Sequence, residues 1–286
     1  MEVKHLEHDE GFTKIDGFVK NGLPKGQSIG WPNIDENFKI LKGQLNVVSG
    51  YPSSGKSEFV ENIACFVART EKYNVTMYAP ESYPPERHQM SLIEKLVGKP
   101  VLDRGYGKPM TEDERIDAYY TLTKQFTIIS ADEEAYSFEN ILDSLDERCK
   151  GGETIDMVVI DPWNEMESGR PNGTTETDYI GLCLMKARRL ARKHNISFWI
   201  VCHPAKPAQK DKDGSYPPPD LYDLSGSSHW RNKADNGIIV HRYDLSSTRV
   251  HVLIRKIKNR FYGKPGEVFF NFLPSCGRYE PAHEEL

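Results

Sequence analysis

Short, wholly apolar runs recur along the chain, and most are followed by a longer stretch in which apolar residues return every three or four positions. The first such pair is the strand Leu45–Val48, a Gly/Ser-rich turn, and the helical pattern Glu58–Thr70. The alternation continues with a strand at Val75–Ala79 and a helix at Pro85–Val97, then a strand at Phe126–Ser130 and a helix over Ser137–Cys149. Strand Met157–Ile160, a long helix over Asp178–His194 and strand Ser197–Cys202 complete it. Runs such as MVVI have no polar face, as expected of strands buried on both sides of a mostly parallel sheet flanked by helices. Three β-rich stretches follow without intervening helices: Gly237–Arg242, Arg249–Ile257 and Glu267–Phe272. They predict an antiparallel C-terminal edge. Residues 1–30 show no sustained periodicity and read as an arm or linker. The segments Glu167–Thr177 and Pro204–Pro219 resist assignment, and loops of that length in a compact domain tend to carry function.

Composition narrows the classes. A length of 286 residues with 38% hydrophobic residues supplies a core for one large α/β domain, or two small ones. No apolar run reaches the roughly 20 residues of a membrane span, and the acidic start MEVKHLEHDEGF lacks the apolar stretch of a secretory signal. A net charge of −5 excludes a generally polybasic nucleic-acid binder, while leaving room for local basic loops. The five cysteines form no CxxC pair and read as reduced thiols; no structural metal is expected.

The sharpest chemistry lies in Gly50-Tyr-Pro-Ser-Ser-Gly55-Lys56-Ser57, a complete GxxxxGK[ST] between a predicted strand and a predicted helix. Gly50, Ser53, Ser54 and Gly55 would let backbone N–H groups wrap phosphates at a helix N-terminus. Lys56 would neutralise the β/γ-phosphates and the Ser57 hydroxyl would hold Mg²⁺. Strand Met157–Ile160 delivers Asp161 to the carboxyl edge of the sheet, where ligands sit, to hold the same Mg²⁺. Asn164 and Glu165 follow it closely. Glu81, just past the strand Val75–Ala79, reaches the same edge as a catalytic base for the attacking water. His203, after Ser197–Cys202, would sense the γ-phosphate. The run Lys186–Lys193 falls late in a predicted helix, where cations complement the helix dipole, and reads as a solvated face.

GWPNID (30–35), GYPSSGKSEF (50–59), APESYPPERH (79–88), VVIDPWNE (158–165), CHPAK (202–206), YDLSGSSHWRNKADNGIIVHR (222–242) and IRKIKNRFYGKPGE (254–267) stand in this order. Together they resemble the hexameric RecA-fold replicative helicases of the DnaB and Twinkle type, nearest to the helicase half of Twinkle-like and phage primase-helicases. The resemblance implies a RecA-like P-loop NTPase core at 29–275, a linker or docking arm at 1–28 and a tail at 276–286. It matches Glu81 to the family's catalytic glutamate, Asp161 to its Mg²⁺-linked aspartate and His203 to its γ-phosphate sensor. Arg260 falls where the family places an arginine finger acting on the neighbouring subunit's nucleotide, with Lys258 as companion cation.

It further implies channel loops for single-stranded DNA at about 166–178, 204–216 and 224–232, offering Arg170, Asn172, Lys206, Lys210, Lys212, Ser225, Gly226, Ser227 and Arg231. The cofactors implied are ATP or dTTP with Mg²⁺. The partners implied are single-stranded DNA, further copies of the chain in a hexameric ring, and a primase or polymerase. His203 follows the Twinkle and phage branch, where bacterial DnaB proteins tend to have Gln. Nothing resembling a primase half precedes residue 28. The expected compartment is a bacterial or phage-infected cytoplasm, or an organelle matrix after loss of a presequence. A RecA/RadA-like recombinase filament and a regulatory P-loop ATPase indifferent to DNA remain the alternatives.

Overall fold

The computed structural model describes residues 8–282 except 24, 106, 131–135, 206–209, 211–215 and 227. Its strands are β1 (Leu45–Ser49), β2 (Val75–Tyr78), β3 (Phe126–Ile129), β4 (Met157–Ile160), β5 (Ser197–Cys202), β6 (Asn236–His241), β7 (Arg249–Ile257), β8 (Gly266–Leu273) and β9 (Arg278–Ala282). They form one nine-stranded sheet in the order β3-β2-β4-β5-β1-β6-β7-β8-β9. From β3 to β6 every pairing is parallel; from β6 to β9 every pairing is antiparallel. The expected fold class, a mostly parallel sheet with an antiparallel C-terminal edge, is what the chain adopts.

The helices are α1 (His8–Asn21), α2 (Lys56–Thr70), α3 (Pro85–Val97), α4 (Glu112–Gln125), α5 (Phe138–Lys150), α6 (Glu176–His194) and the short α7 (His229–Lys233). Because successive strand residues point to opposite faces, the apolar runs feed two cores. Val48, Met77, Val159, Trp199, Val201, Ile238 and Val240 pack with Phe59, Val60, Ile63 and Val67 of α2 and with Leu92 and Leu96 of α3. Val47, Tyr78, Val158, Ile160, Phe198, Ile200 and Ile239 pack on the other face with Ile141, Leu142 and Leu145 of α5 and with Ile180, Leu184 and Ala187 of α6. Each fully buried side chain of this kind contributes about 1.5–3 kcal/mol by leaving water, so the residues that make the strands also fix the layers.

The structure departs from the sequence-based reading at the ends and at α4. The segment 8–21, read as part of an arm or linker without sustained periodicity, is a helix whose Phe12 and Val19 are 72% and 79% exposed. The segment 276–286, expected as a tail, contributes β9. That strand pairs with β8 and buries Tyr279 among Trp31, Phe59 and Phe270. The Trp31 Nε1–H donates to the Tyr279 carbonyl at 2.9 Å, tying the start of the fold to its last strand. Helix α4 is stabilised at its start by a capping box, in which Thr111 and Glu114 each accept from the other's backbone N–H.

Candidate nucleotide-binding site

The carboxyl ends of β2, β4, β5, β1 and β6 are neighbours along one edge, and each delivers a residue to it. Glu81, Asp161, His203, the phosphate loop and Arg242 thus line a cleft of about 580 Å³. The loop itself explains its glycines. A Cβ on Gly50 would lie 2.0 Å from the Val240 carbonyl oxygen, and one on Gly55 would lie 2.2 Å from the Tyr279 hydroxyl. Gly55 also has φ 94°, a left-handed conformation that suits glycine, and α2 begins at the next residue. Ser53 adopts φ 61° in the middle of the loop.

The charges in the cleft are set for an anion and a cation together. Lys56 is buried, donates to the Tyr51 carbonyl at 3.1 Å, and has its pKa lowered by burial, against the opposing pull of Asp161 and Glu81. Burial pushes Asp161 up to about 7, although it accepts a hydrogen bond from Ser57 and lies near Lys56. A buried ammonium and a buried carboxyl, each held by burial towards its neutral form, are what a phosphate–Mg²⁺ pair would satisfy. Among the described residues, the buried Ser54 hydroxyl, the Nδ1 of His203 and the Nε of Arg242 have no hydrogen-bond partner. Burial and nearby Lys56 hold His203 below its ordinary pKa, which favours a neutral imidazole.

His203 is also joined to what lies beyond the cleft. Its N–H donates to the Asn164 side-chain oxygen at 2.9 Å, and its carbonyl accepts from the Ser225 N–H at 3.3 Å. Asn164, Arg170 and Ser225 line a second cavity of about 280 Å³. This arrangement brings the segments around 166–178 and 224–232 together beside His203. Within the latter, α7 forms a short helix whose Trp230 is buried 5.3 Å from Trp163. Arg170 and Asn172 are exposed. The Thr177 hydroxyl donates to the Gly226 carbonyl at 2.8 Å. Arg231 pairs with Asp220 at 2.9 Å and lies over the Tyr222 ring, so its charge is partly committed. Lys210 lies over the Tyr216 ring. Lys206, Lys212 and Ser227 lie outside the described residues.

Arg260 and Lys258 stand apart from this cleft. Strand β7 runs antiparallel to β6 and ends with Ile257 opposite Asn236, at the start of β6. The two cations therefore sit at the sheet end opposite the phosphate loop. Arg260 is exposed beside Lys25, Glu36 and Lys39, and Lys258 pairs with Asp235 at 3.0 Å. Neither side chain can serve the nucleotide site of its own chain.

Arg242, Phe272 and Tyr279 also line the cleft, although the sequence reading assigns them no role. The Tyr279 hydroxyl donates to the Gly55 carbonyl at 3.0 Å, directly supporting the phosphate loop. The signals available were the position of Arg242 just after an apolar run and the alternation in VFFNFL, which places Phe270 and Phe272 on the same face.

Comparisons with known proteins agree with this fold. The family model described as the DnaB-like helicase C terminal domain matches residues 26–281. The chain belongs to that family. It is 32% identical over 283 residues to the Twinkle homolog protein, chloroplastic/mitochondrial, of Arabidopsis thaliana, covering 94% of this chain but 38% of that protein's length. A solved ATPase domain superposes with a TM-score of 0.80 at 18% identity, covering 98% of this chain and all of that one. A DnaB-like replicative helicase, solved in a study of its interactions with primase, gives 0.77 at 17% identity over 96% of this chain and 68% of that one. The RadB recombinase gives 0.58 at 14% identity, a likeness of fold. Among the described residues no helix is long and apolar enough to cross a membrane.

Proposed function

We propose that this chain is the NTP-hydrolysing motor of a replicative DNA helicase, working as a ring on single-stranded DNA. The observation that carries the proposal is the division of the cations. Lys56, Ser57, Asp161 and Glu81 gather at one end of the sheet, whereas Arg260 and Lys258 lie at the other. A site built this way is complete only where one copy's cleft meets another copy's β7–β8 turn.

In this reading the backbone N–H groups of residues 53–57 and the Lys56 ammonium bind the phosphates of ATP or dTTP. Ser57 and Asp161 would hold Mg²⁺, which would supply neutralisation of the phosphate charge. Glu81 orients the attacking water and accepts its proton. The neighbouring copy's Arg260, with Lys258, neutralises charge on the transferring phosphoryl group. Arg242 and Phe272 offer the nucleotide's base a cation and an aromatic face. Neutral His203 reads the γ-phosphate, and its backbone bonds to Asn164 and Ser225 pass the change to Arg170, Asn172 and Gly226, with Lys206, Lys210, Lys212, Ser227 and Arg231 in the adjoining loops. Single-stranded DNA held by its phosphates needs such cations and N–H groups rather than base readers.

Helix α1, with Phe12, Ile15 and Val19 exposed, suits docking on the next copy. Because the chain spans 38% of its Arabidopsis relative, a primase partner and an organellar setting are readings from the relatives.

The test is complementation. Arg260→Ala and Glu81→Ala should each lose turnover by a factor of about 10³ or more while retaining nucleotide binding. Mixed oligomers should regain part of the activity, because some interfaces then pair an intact cleft with an intact finger. Mixed oligomers that form and stay inactive would rule out a finger acting in trans.

A further inference from the structure

Beside the nucleotide cleft, and sharing Ser57, Glu58, Glu81 and Phe272 with it, lies a cavity of about 450 Å³ walled by charged side chains. Its floor is a buried ionic cluster between α2 and α3. The Lys95 side chain is 1% exposed, and its Nζ lies 2.7 Å from Glu58 Oε2 and 2.8 Å from Glu61 Oε2. The same ammonium donates to the Ser91 hydroxyl at 2.7 Å. The other oxygen of Glu61 lies 3.0 Å from His88 Nε2, and both of those side chains are buried. Lys95 and His88 hold Glu61 at about 2 against its burial.

The β8–β9 turn covers one side of the cluster. The Asn62 amide donates to the Gly277 carbonyl at 2.7 Å, and Arg278 donates to the carbonyls of Lys95 and Leu96 at 2.6 and 2.7 Å. A Cβ on Gly277 would lie 2.8 Å from Glu58 Oε2.

The cluster is better explained by geometry than by stability. Buried ion pairs seldom outperform apolar packing of the same volume, and in some proteins their role is to specify one arrangement of the elements that carry them. Here the elements are those that start at the two halves of the reaction site. Helix α2 begins at Lys56, and Glu61 lies one turn beyond Ser57; helix α3 begins at Pro85, four residues after Glu81. We infer that Glu61, Lys95 and His88 are positioning residues that lock α3 onto α2 and thereby fix Glu81 relative to Ser57 and the γ-phosphate. The inference rests on the reading of Glu81 as the base.

The test is a double-mutant cycle on the full chain, read by single-turnover ATP hydrolysis and by binding of a fluorescent ATP analogue. Glu61→Gln should lower the hydrolysis rate at least tenfold and change the analogue's Kd by less than twofold. In a Glu81→Gln background the same substitution should cost less than a further twofold, because nothing remains to position. An equal loss in both backgrounds, a Kd weakened in step with the rate, or an unchanged rate would each overturn the inference. Should Glu81→Gln alone hydrolyse at the wild-type rate, the reading of Glu81 fails before Glu61 is tested, and the inference falls with it. Should Glu61→Gln not fold, His88→Gln, which leaves the Lys95 pairs intact, should show a smaller loss, about threefold, with the same non-additivity. An unchanged rate in that variant also overturns it.

Discussion

Asp161 shows how function and stability pull apart at a single residue. Burial raises its pKa to about 7 despite Ser57 and Lys56, so above neutral pH the apo protein carries a carboxylate it would hold more easily as an acid. Asp161→Asn should therefore raise the apo melting temperature at pH 8 while abolishing Mg²⁺-dependent turnover; a lower melting temperature would contradict the assigned burial cost. Lys56→Ala should cut turnover at least a hundredfold, and near wild-type turnover would remove the phosphate-loop assignment.

His241 gives the pH dependence. It is buried at the end of β6 among Tyr51, Tyr243 and His251, and burial followed by the neighbouring His251 holds it at about 4. Between pH 6.5 and 4 the unfolded chain takes a proton that the native imidazole refuses. The His241 contribution to stability is thus full above 6.5 and is lost as pH drops towards 4. Replacing His241 by Phe should flatten that part of a melting-temperature profile; an identical slope would assign it to other groups. The phosphate loop, Glu81, Asp161 and His203 were legible in the sequence because each directly follows a strand or lies within three residues of its end. Arg242 also follows a strand, but an arginine there looks the same whether it faces solvent or a ligand. Phe272 and Tyr279 were hidden for a different reason: a wall made of separate strands has no spacing in one dimension.

Among the elements, strands were the easiest to read. LNVVS, MVVI and SFWIVC are buried at every position, as only strands covered on both faces require over so few residues. Helix α4 is hard to read from the sequence because its buried residues are few: Ala118, Leu122 and Gln125 face inward, while Ile116, Tyr119 and Tyr120 stay exposed. Its real signature was the cap, Thr111 followed three residues later by Glu114. The segment RYEPA resembled a tail since an edge strand needs one inward side chain and tolerates proline on its open side. That strand is nonetheless part of the site. Tyr279→Ala should cost about 3–5 kcal/mol in a denaturant melt, as for other buried aromatics, and Tyr279→Phe should weaken nucleotide binding more than it weakens the fold through the lost bond to Gly55. Equal binding by the Phe variant would show that the loop holds its shape unaided.

On the scale of the whole molecule, the sheet acts as a spacer. Parallel strands bring Lys56, Ser57, Glu81 and Asp161 to one end, and the reversal at β7 carries Arg260 to the other. In the proposed ring each chain would present its β7–β8 turn to the next cleft, which would make hydrolysis a property of the interface. The His203 backbone joins the cleft to Asn164 and Ser225, and in the proposed ring the loops beside it would be where a net acidic chain keeps a positive channel. The most direct check is the steady-state ATPase rate of oligomeric protein with and without single-stranded DNA, across a salt series. The account predicts stimulation by DNA that fades as salt rises, because the contacts are to phosphates. A rate indifferent to DNA in a sample shown to be oligomeric would contradict it.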